Sequence, residues 1–209
     1  MYSLPVLLKD GGFALWLLLF TSAVAIVVFI ERFLHYHRAQ INSLEFLNGV
    51  RNVLRRDNVV EAISICDATP GPVARLVKTA ILNRNHGRER IRESLEDAGL
   101  AEVPRLEEKL NLLATIAQLA PLFGLLGTVI GLMETFNIVQ EKGLMANVSL
   151  LSGGVSKALI CAAAGVAIAI PVHAGYNYLV SRVNSIVLDM ERAATEIVNI
   201  VTDSSNGKA

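Results

Sequence analysis

The sequence predicts an all-α integral membrane protein with three transmembrane helices and a cytoplasmic helical domain. Three observations lead there. Residues 11–30, 110–133 and 158–181 contain no Asp, Glu, Lys or Arg, and each run reaches the roughly 20 residues that a helix needs to cross a bilayer. The 209-residue chain is 53% apolar and 18% charged, with a mean hydropathy of +0.48. The charged stretch between the first two runs shows helical spacing of its apolar residues and no strand-like alternation.

Taken in order, residues 1–31 form an N-terminal segment and the first span. Lys9 and Asp10 precede its apolar core, and no small-x-small site precedes the charges that begin at Glu31. It therefore reads as a retained anchor and not as a signal peptide. Residues 32–109 carry 13 Lys and Arg, which places them in the cytoplasm. The N-terminus and the short loop 134–157, which holds only Lys142 and Lys157, then lie outside, and the C-terminus lies inside.

Within 32–109, Asp57 is expected to cap a helix over 58–68, with Glu61 in its first turns. The ATPGP stretch at 68–72 reads as a turn whose last proline opens a helix from Val73 to about Asn85. Residues 85–87 break the chain again. Ile91, Leu95, Leu106, Leu110 and Leu113 then mark an amphipathic pattern, with Pro104 starting a long helix that runs directly into the second span. Residues 110–181 hold the second and third spans, and 182–209 a cytoplasmic C-terminal helix and tail. The tail 202–209 is expected to be disordered.

The composition excludes several functions. The formal net charge is zero and the basic residues are interleaved with acids, the pattern of a solvated helical surface and not of a nucleic-acid partner. Cys66 falls in a reducing compartment and Cys161 in the membrane, so no disulfide is expected. No His/Cys cluster has metal-ligand spacing, no loop is built to cradle phosphate, and no nucleophile–base pair appears. No cofactor, metal or enzymatic activity is expected.

The candidate site lies in the glycine-rich stretch APLFGLLGTVIGLM, residues 120–133. Gly124, Gly127 and Gly131 are unnecessary on a lipid-facing helix, whereas closely packed helices use glycine to bring backbones together. Ala117, Pro121, Gly124, Thr128, Gly131 and Thr135 share one helical face, and Ala158, Ala162, Gly165 and Ala169 do the same on the third span. Two readings of these faces remain: packing alone, with Thr128 returning its hydroxyl to the Gly124 carbonyl, or the lining of a pore. Since ion pathways carry ionisable residues and these runs carry no acid, any proton-carrying carboxylate must come from another chain. His173, at nearly the depth of Gln118, reads either as a hydrogen-bonded neutral histidine, with the carbonyl freed by Pro171 as partner, or as a proton relay. Pro121 and Pro171 shape their helices. His35 and His37 sit beside Arg32 and Arg38 at the membrane edge as interfacial anchors.

The strings APLFGLLGTVIGLMETF, GGVSKALICAAAGVAIAIP and YNYL resemble the MotA/TolQ/ExbB proton-channel family, most closely its ExbB/TolQ branch. IERF, ATPGPVARL and EVPRLEEKLNLLATIAQLAPL extend the resemblance upstream over nearly the whole chain. It implies a homopentamer in the bacterial inner membrane whose second and third helices enclose a pore. That pore would hold the single-span helices of an ExbD/TolR-type partner, on which an aspartate carries the proton. Force would pass to envelope machinery through a TonB/TolA-type protein, with membrane lipid around the ring. By the same resemblance Thr128 is the threonine of the GLLGT motif and is expected to line the ion path, with Ala162 opposite; His173 is the candidate cytoplasmic relay on its own chemistry. Gly124, Gly127, Gly131 and Gly165 set helix spacing. Two positions depart from the family pattern: Ala162 stands where a threonine is common, and Lys157 where a glutamate is often found. Both departures leave room for a non-conducting scaffold with the same ring fold. A flagellar-type stator, with four spans and a larger cytoplasmic domain, fits three runs less well.

Overall fold

The computed structural model describes residues 12–143 and 148–206, and every regular element among them is helical. In chain order these are α1 (Gly12–Ala39), α2 (Ser43–Leu54), α3 (Val59–Ala68) and α4 (Pro72–Leu82). A 3-10 turn (Arg84–His86) then leads to α5 (Arg88–Glu107), α6 (Leu110–Lys142) and α7 (Val148–Asn206). Three stretches are long and apolar enough to cross a membrane, and they fall in α1, α6 and α7. Among the described residues, 12–31 and 109–178 form one compact unit and 32–108 with 179–206 form another.

In the first unit the buried side chains include many small ones beside a few leucines, and many large apolar ones face outward. Ala14, Leu18 and Ala25 of α1, Ala117 and Ala120 of α6, and Ala158 and Cys161 of α7 are buried. Phe13, Trp16 and Phe20 of α1, with Leu122, Leu125 and Val129 of α6, are exposed. Helices associating in lipid gain nothing from hiding leucine, so close packing of small residues holds them together.

The second unit has a core of larger buried apolar side chains. Its central helix is α4, where Pro72, Val73, Ala74, Leu76, Val77, Ala80 and Ile81 are all buried. On the C-terminal half of α7, Leu179, Val183, Ile186, Met190, Ala193, Ile197 and Ile200 are buried, alternately four and three residues apart, as on a helix seam that packs like a coiled coil. Each large apolar side chain buried here contributes about 1.5–3 kcal/mol. Arg75 binds both oxygens of the buried Glu102 carboxylate, with Nε 2.9 Å from Oε1, and Arg105 adds a contact of 3.1 Å. The ATPGPVARL and EVPRLEEKL strings are joined through this cluster. Arg51 of α2 pairs with Glu196 of α7.

Several sequence expectations need correction. The cap of α3 is Asn58, whose side chain accepts the Glu61 N–H at 3.2 Å and donates to the Glu61 carboxylate at 2.7 Å. Asp57 has φ +56°, a left-handed conformation unlike the extended one an N-cap adopts; it pairs instead with Arg84. Helix α4 ends at Leu82 and is followed by the 3-10 turn, three residues short of the expected end. The turn before it depends on Gly71, at φ +118°, where a Cβ would stand 2.8 Å from the Ala39 carbonyl oxygen.

Pro104 starts no helix. It lies inside α5, and the chain breaks later, at Glu108 and Lys109, with Lys109 left-handed at φ +65°. Pro104 is exposed, so a carbonyl deprived of its i+4 donor can be hydrated, which lowers the cost of a proline within a helix. Leu106 is buried near the end of α5, and its carbonyl receives the Tyr36 hydroxyl at 2.5 Å. This satisfies one of the acceptors that a helix end leaves without a partner. The charged pairs Arg32–Glu108 and Glu31–Lys109 flank the break. Residues 134–157 are mostly helical, because α6 runs on to Lys142 and α7 begins at Val148. The tail is helical as far as Asn206, and 207–209 lie outside the described residues.

Candidate functional site

Helices α6 and α7 meet along a glycine seam in which backbone comes directly against backbone at Gly124, Gly131 and Gly165. A Cβ built on Gly124 would lie 2.9 Å from the Cys161 carbonyl oxygen, 3.2 Å from Gly165 Cα and 3.4 Å from the Ala162 carbonyl oxygen. One on Gly165 would lie 2.8 Å from the Ala120 carbonyl oxygen. Further along, one on Gly131 would approach the Gly154 carbonyl oxygen to 2.9 Å and Ala158 Cβ to 3.1 Å. At each of the three glycines the shortest of these distances, 2.8 or 2.9 Å to a carbonyl oxygen, is below ordinary contact, so no larger residue fits without moving a main chain.

Between these two contacts, Gly127 faces Cys161. A Cβ on Gly127 would come 2.5 Å from Cys161 Cβ and 3.2 Å from Ala14 Cβ of α1. Gly127 is thus the position at which the three apolar helices meet, with the Cys161 side chain filling the space opposite it. The signal for this seat is the spacing: Cys161 lies three residues after Ala158 and four before Gly165, which puts all three on one face.

Thr128 is half-buried one turn beyond Gly124. Its hydroxyl donates to the Leu125 carbonyl oxygen at 2.5 Å, and not to the Gly124 carbonyl. The bond uses the only hydroxyl proton and leaves the oxygen's acceptor capacity open to a donor from outside. Thr135, two turns further, returns its hydroxyl to the Gly131 carbonyl at 2.9 Å. Ala162 is half-buried and presents a methyl group with no hydrogen-bonding capacity. His173 is exposed, its ring tilted by 38° against Tyr176 with centroids 6.3 Å apart, and Gln118 is exposed on α6.

The electrostatics of the seam come from its hairpin end. Lys157 Nζ of α7 lies 2.9 and 3.0 Å from the two carboxylate oxygens of Glu134 of α6. Glu134 stands one residue beyond the charge-free run, and its pairing depends on the antiparallel register of two helices, which no local pattern reveals. Among the described residues no group of three or more His, Cys, Asp or Glu side chains is placed to hold a metal.

Two groups in the second unit titrate abnormally. Burial, with Asp67 adding to it and Lys78 opposing it, pushes the Cys66 thiol up to about 11. Burial also raises the Tyr36 hydroxyl, while the neighbouring Arg32 pulls it back.

The chain matches the profile of the MotA/TolQ/ExbB proton channel family over residues 68–192. It is 31% identical over 161 residues to a putative biopolymer transport protein ExbB-like 3 of Synechocystis, covering 77% of each chain. Over 207 residues it is 28% identical to the biopolymer transport protein ExbB of Neisseria gonorrhoeae, covering 92% of this chain and 90% of the relative. A putative biopolymer transport protein ExbB homolog of Methanothermobacter thermautotrophicus is 25% identical over 178 residues. That match takes in 84% of this chain but only 62% of the archaeal protein's length. The Tol-Pal system protein TolQ of Haemophilus influenzae is 36% identical over 108 residues, 52% of this chain and 47% of its own.

Proposed function

From a chain that belongs to the MotA/TolQ/ExbB proton channel family, and that is a multi-pass membrane subunit of its ExbB/TolQ branch, we propose the ring-forming subunit of a proton-driven inner-membrane motor. It works with an ExbD/TolR-type single-span protein and energises outer-membrane transport or another envelope process, with force leaving through a TonB/TolA-type protein. The subunit assembles as a pentamer, its N-terminus outside and its C-terminus in the cytoplasm.

One observation carries this reading. Thr128 offers an acceptor oxygen on the closely packed α6–α7 pair, and residues 110–133 and 158–181 contain no carboxylate. A hydroxyl can relay a proton but cannot hold one at neutral pH, so the titrating acid belongs to the partner helix. Thr128 then lines the ion path with Ala162 opposite, and His173 passes protons toward the cytoplasm. Gly124, Gly127, Gly131 and Gly165 hold the two helices at the spacing this requires.

The test is proton flux into liposomes that contain the complex with its partner. Partner-dependent flux that Thr128→Val removes, with assembly intact, supports the motor. A second reading, a non-conducting scaffold with the same fold, is favoured by Ala162, whose methyl cannot pass a proton. A wild-type complex that assembles and gives no partner-dependent flux establishes the scaffold.

A further inference from the structure

Lys157 sits in α7 five residues before Ala162, where an uncompensated cation would oppose any cation approaching Thr128. The structure gives this lysine a dedicated partner. Both oxygens of Glu134 lie within 3.0 Å of its Nζ. Its stem crosses the first turn of α1, so that a Cβ on Gly12 would come 2.9 Å from Lys157 Cε and 3.3 Å from Nζ. The side chains of Lys157 and Glu134 are 25% and 48% exposed, which leaves their field only partly screened by solvent.

Glu134 lies six residues beyond Thr128, about 9 Å along the helix axis. The adjoining seam is closed by Gly131 against Ala158 and by Thr135 against Gly154, so the pair is held at a fixed height beside the candidate ion path. We propose that Glu134 is a positioning residue that neutralises Lys157 and so keeps the hairpin-end approach to Thr128 open to cations. The inference rests on the conducting reading above. A unit charge about 10 Å away at the effective dielectric of a protein surface changes cation occupancy on the order of tenfold.

The experiment measures proton flux in liposomes holding the full complex with its partner, at low and high ionic strength. Glu134→Gln should lower the flux on the order of tenfold at low salt, and less at high salt, because salt screens the bare lysine. The double variant Glu134→Gln with Lys157→Gln should return flux to near the wild-type rate, although it has no ion pair. A pair that merely ties the helices together predicts the reverse: the double variant stays as low as the single one, and salt does not rescue Glu134→Gln. That result overturns the proposal, as does wild-type flux in Glu134→Gln. Absence of partner-dependent flux in the wild-type complex overturns the conducting reading itself and this inference with it.

Discussion

Gly124 of α6 and Gly165 of α7 meet main chain to main chain: a methyl group on Gly165 would stand 2.9 Å from Gly124 Cα and 2.8 Å from the Ala120 carbonyl oxygen. Both obstacles are backbone, so relief requires the helices to separate.

Gly165→Ala should therefore destabilise the protein by about 1–3 kcal/mol, the usual cost of overpacking a close contact. Gly49→Ala is the control, since nothing lies within 4 Å of a Cβ there. Replacing a mid-helix glycine in open space should raise stability by about 0.5–1 kcal/mol. Thermal unfolding in detergent checks both, and a Gly165→Ala protein as stable as wild type would show that the seam yields easily.

Thr128→Ser should keep most of the proton flux, and Thr128→Val should lose it. Serine preserves the hydroxyl that donates to Leu125, whereas valine keeps the shape alone. Equal flux from the two variants would remove the hydroxyl from the ion path.

Arg75→Ala leaves the Glu102 carboxylate, 8% exposed, with Arg105 as its remaining cationic partner among those described above. Loss of one partner of a buried pair usually costs 3–5 kcal/mol. Arg75 is itself 54% exposed and Arg105 stays, so about 2 kcal/mol is expected here. Arg75→Ala with Glu102→Gln should recover part of it, as measured by denaturant unfolding of the full chain.

Tyr36→Phe removes the hydroxyl that satisfies the Leu106 carbonyl. The cost should be about 1–2 kcal/mol, the range for leaving one buried acceptor without its donor. Hydrogen exchange at the end of α5 should speed up in the same variant, and unchanged exchange there would count against the capping role.

Cys66 makes a pH prediction. Its thiol is raised from 9.0 to about 11 in the folded chain, so the folded state holds its proton where the unfolded state has lost it. The resulting stabilisation is complete below about pH 9 and declines as pH rises through about 11. Cys66→Ala should remove that part of the alkaline decline. At pH 8 the folded thiol should also resist alkylation that is fast in denaturant, and rapid labelling of the folded protein would contradict its burial.

The three spans are legible in the sequence because lipid excludes charge over a fixed length. The close approach of α6 and α7 is legible too, since Gly124, Gly131 and Gly165 have few other uses in an apolar helix. Breaks that depend on one residue's φ are harder. Lys109 adopts a left-handed conformation that its residue type does not announce, so Pro104 attracts the boundary that belongs a little more than one turn of chain later. Asp57 and Asn58 are both good caps by type, and only the backbone decides between them. The pairing of Glu134 with Lys157 and the seat of Cys161 against Gly127 depend on the register between two helices, which is a property of neither helix alone.

The main-chain contacts of that seam also limit how the pair can move. Side chains can change rotamer to let packed helices slide, but carbonyl oxygens and α-carbons cannot. A slip of one residue would drive Leu125 toward the main chain that Gly124 now accommodates, or Leu126 toward the Cys161 side chain that Gly127 accommodates. Shear within the pair is thus blocked in small steps, and α6 should move with residues 148–178 of α7 as one rigid plate.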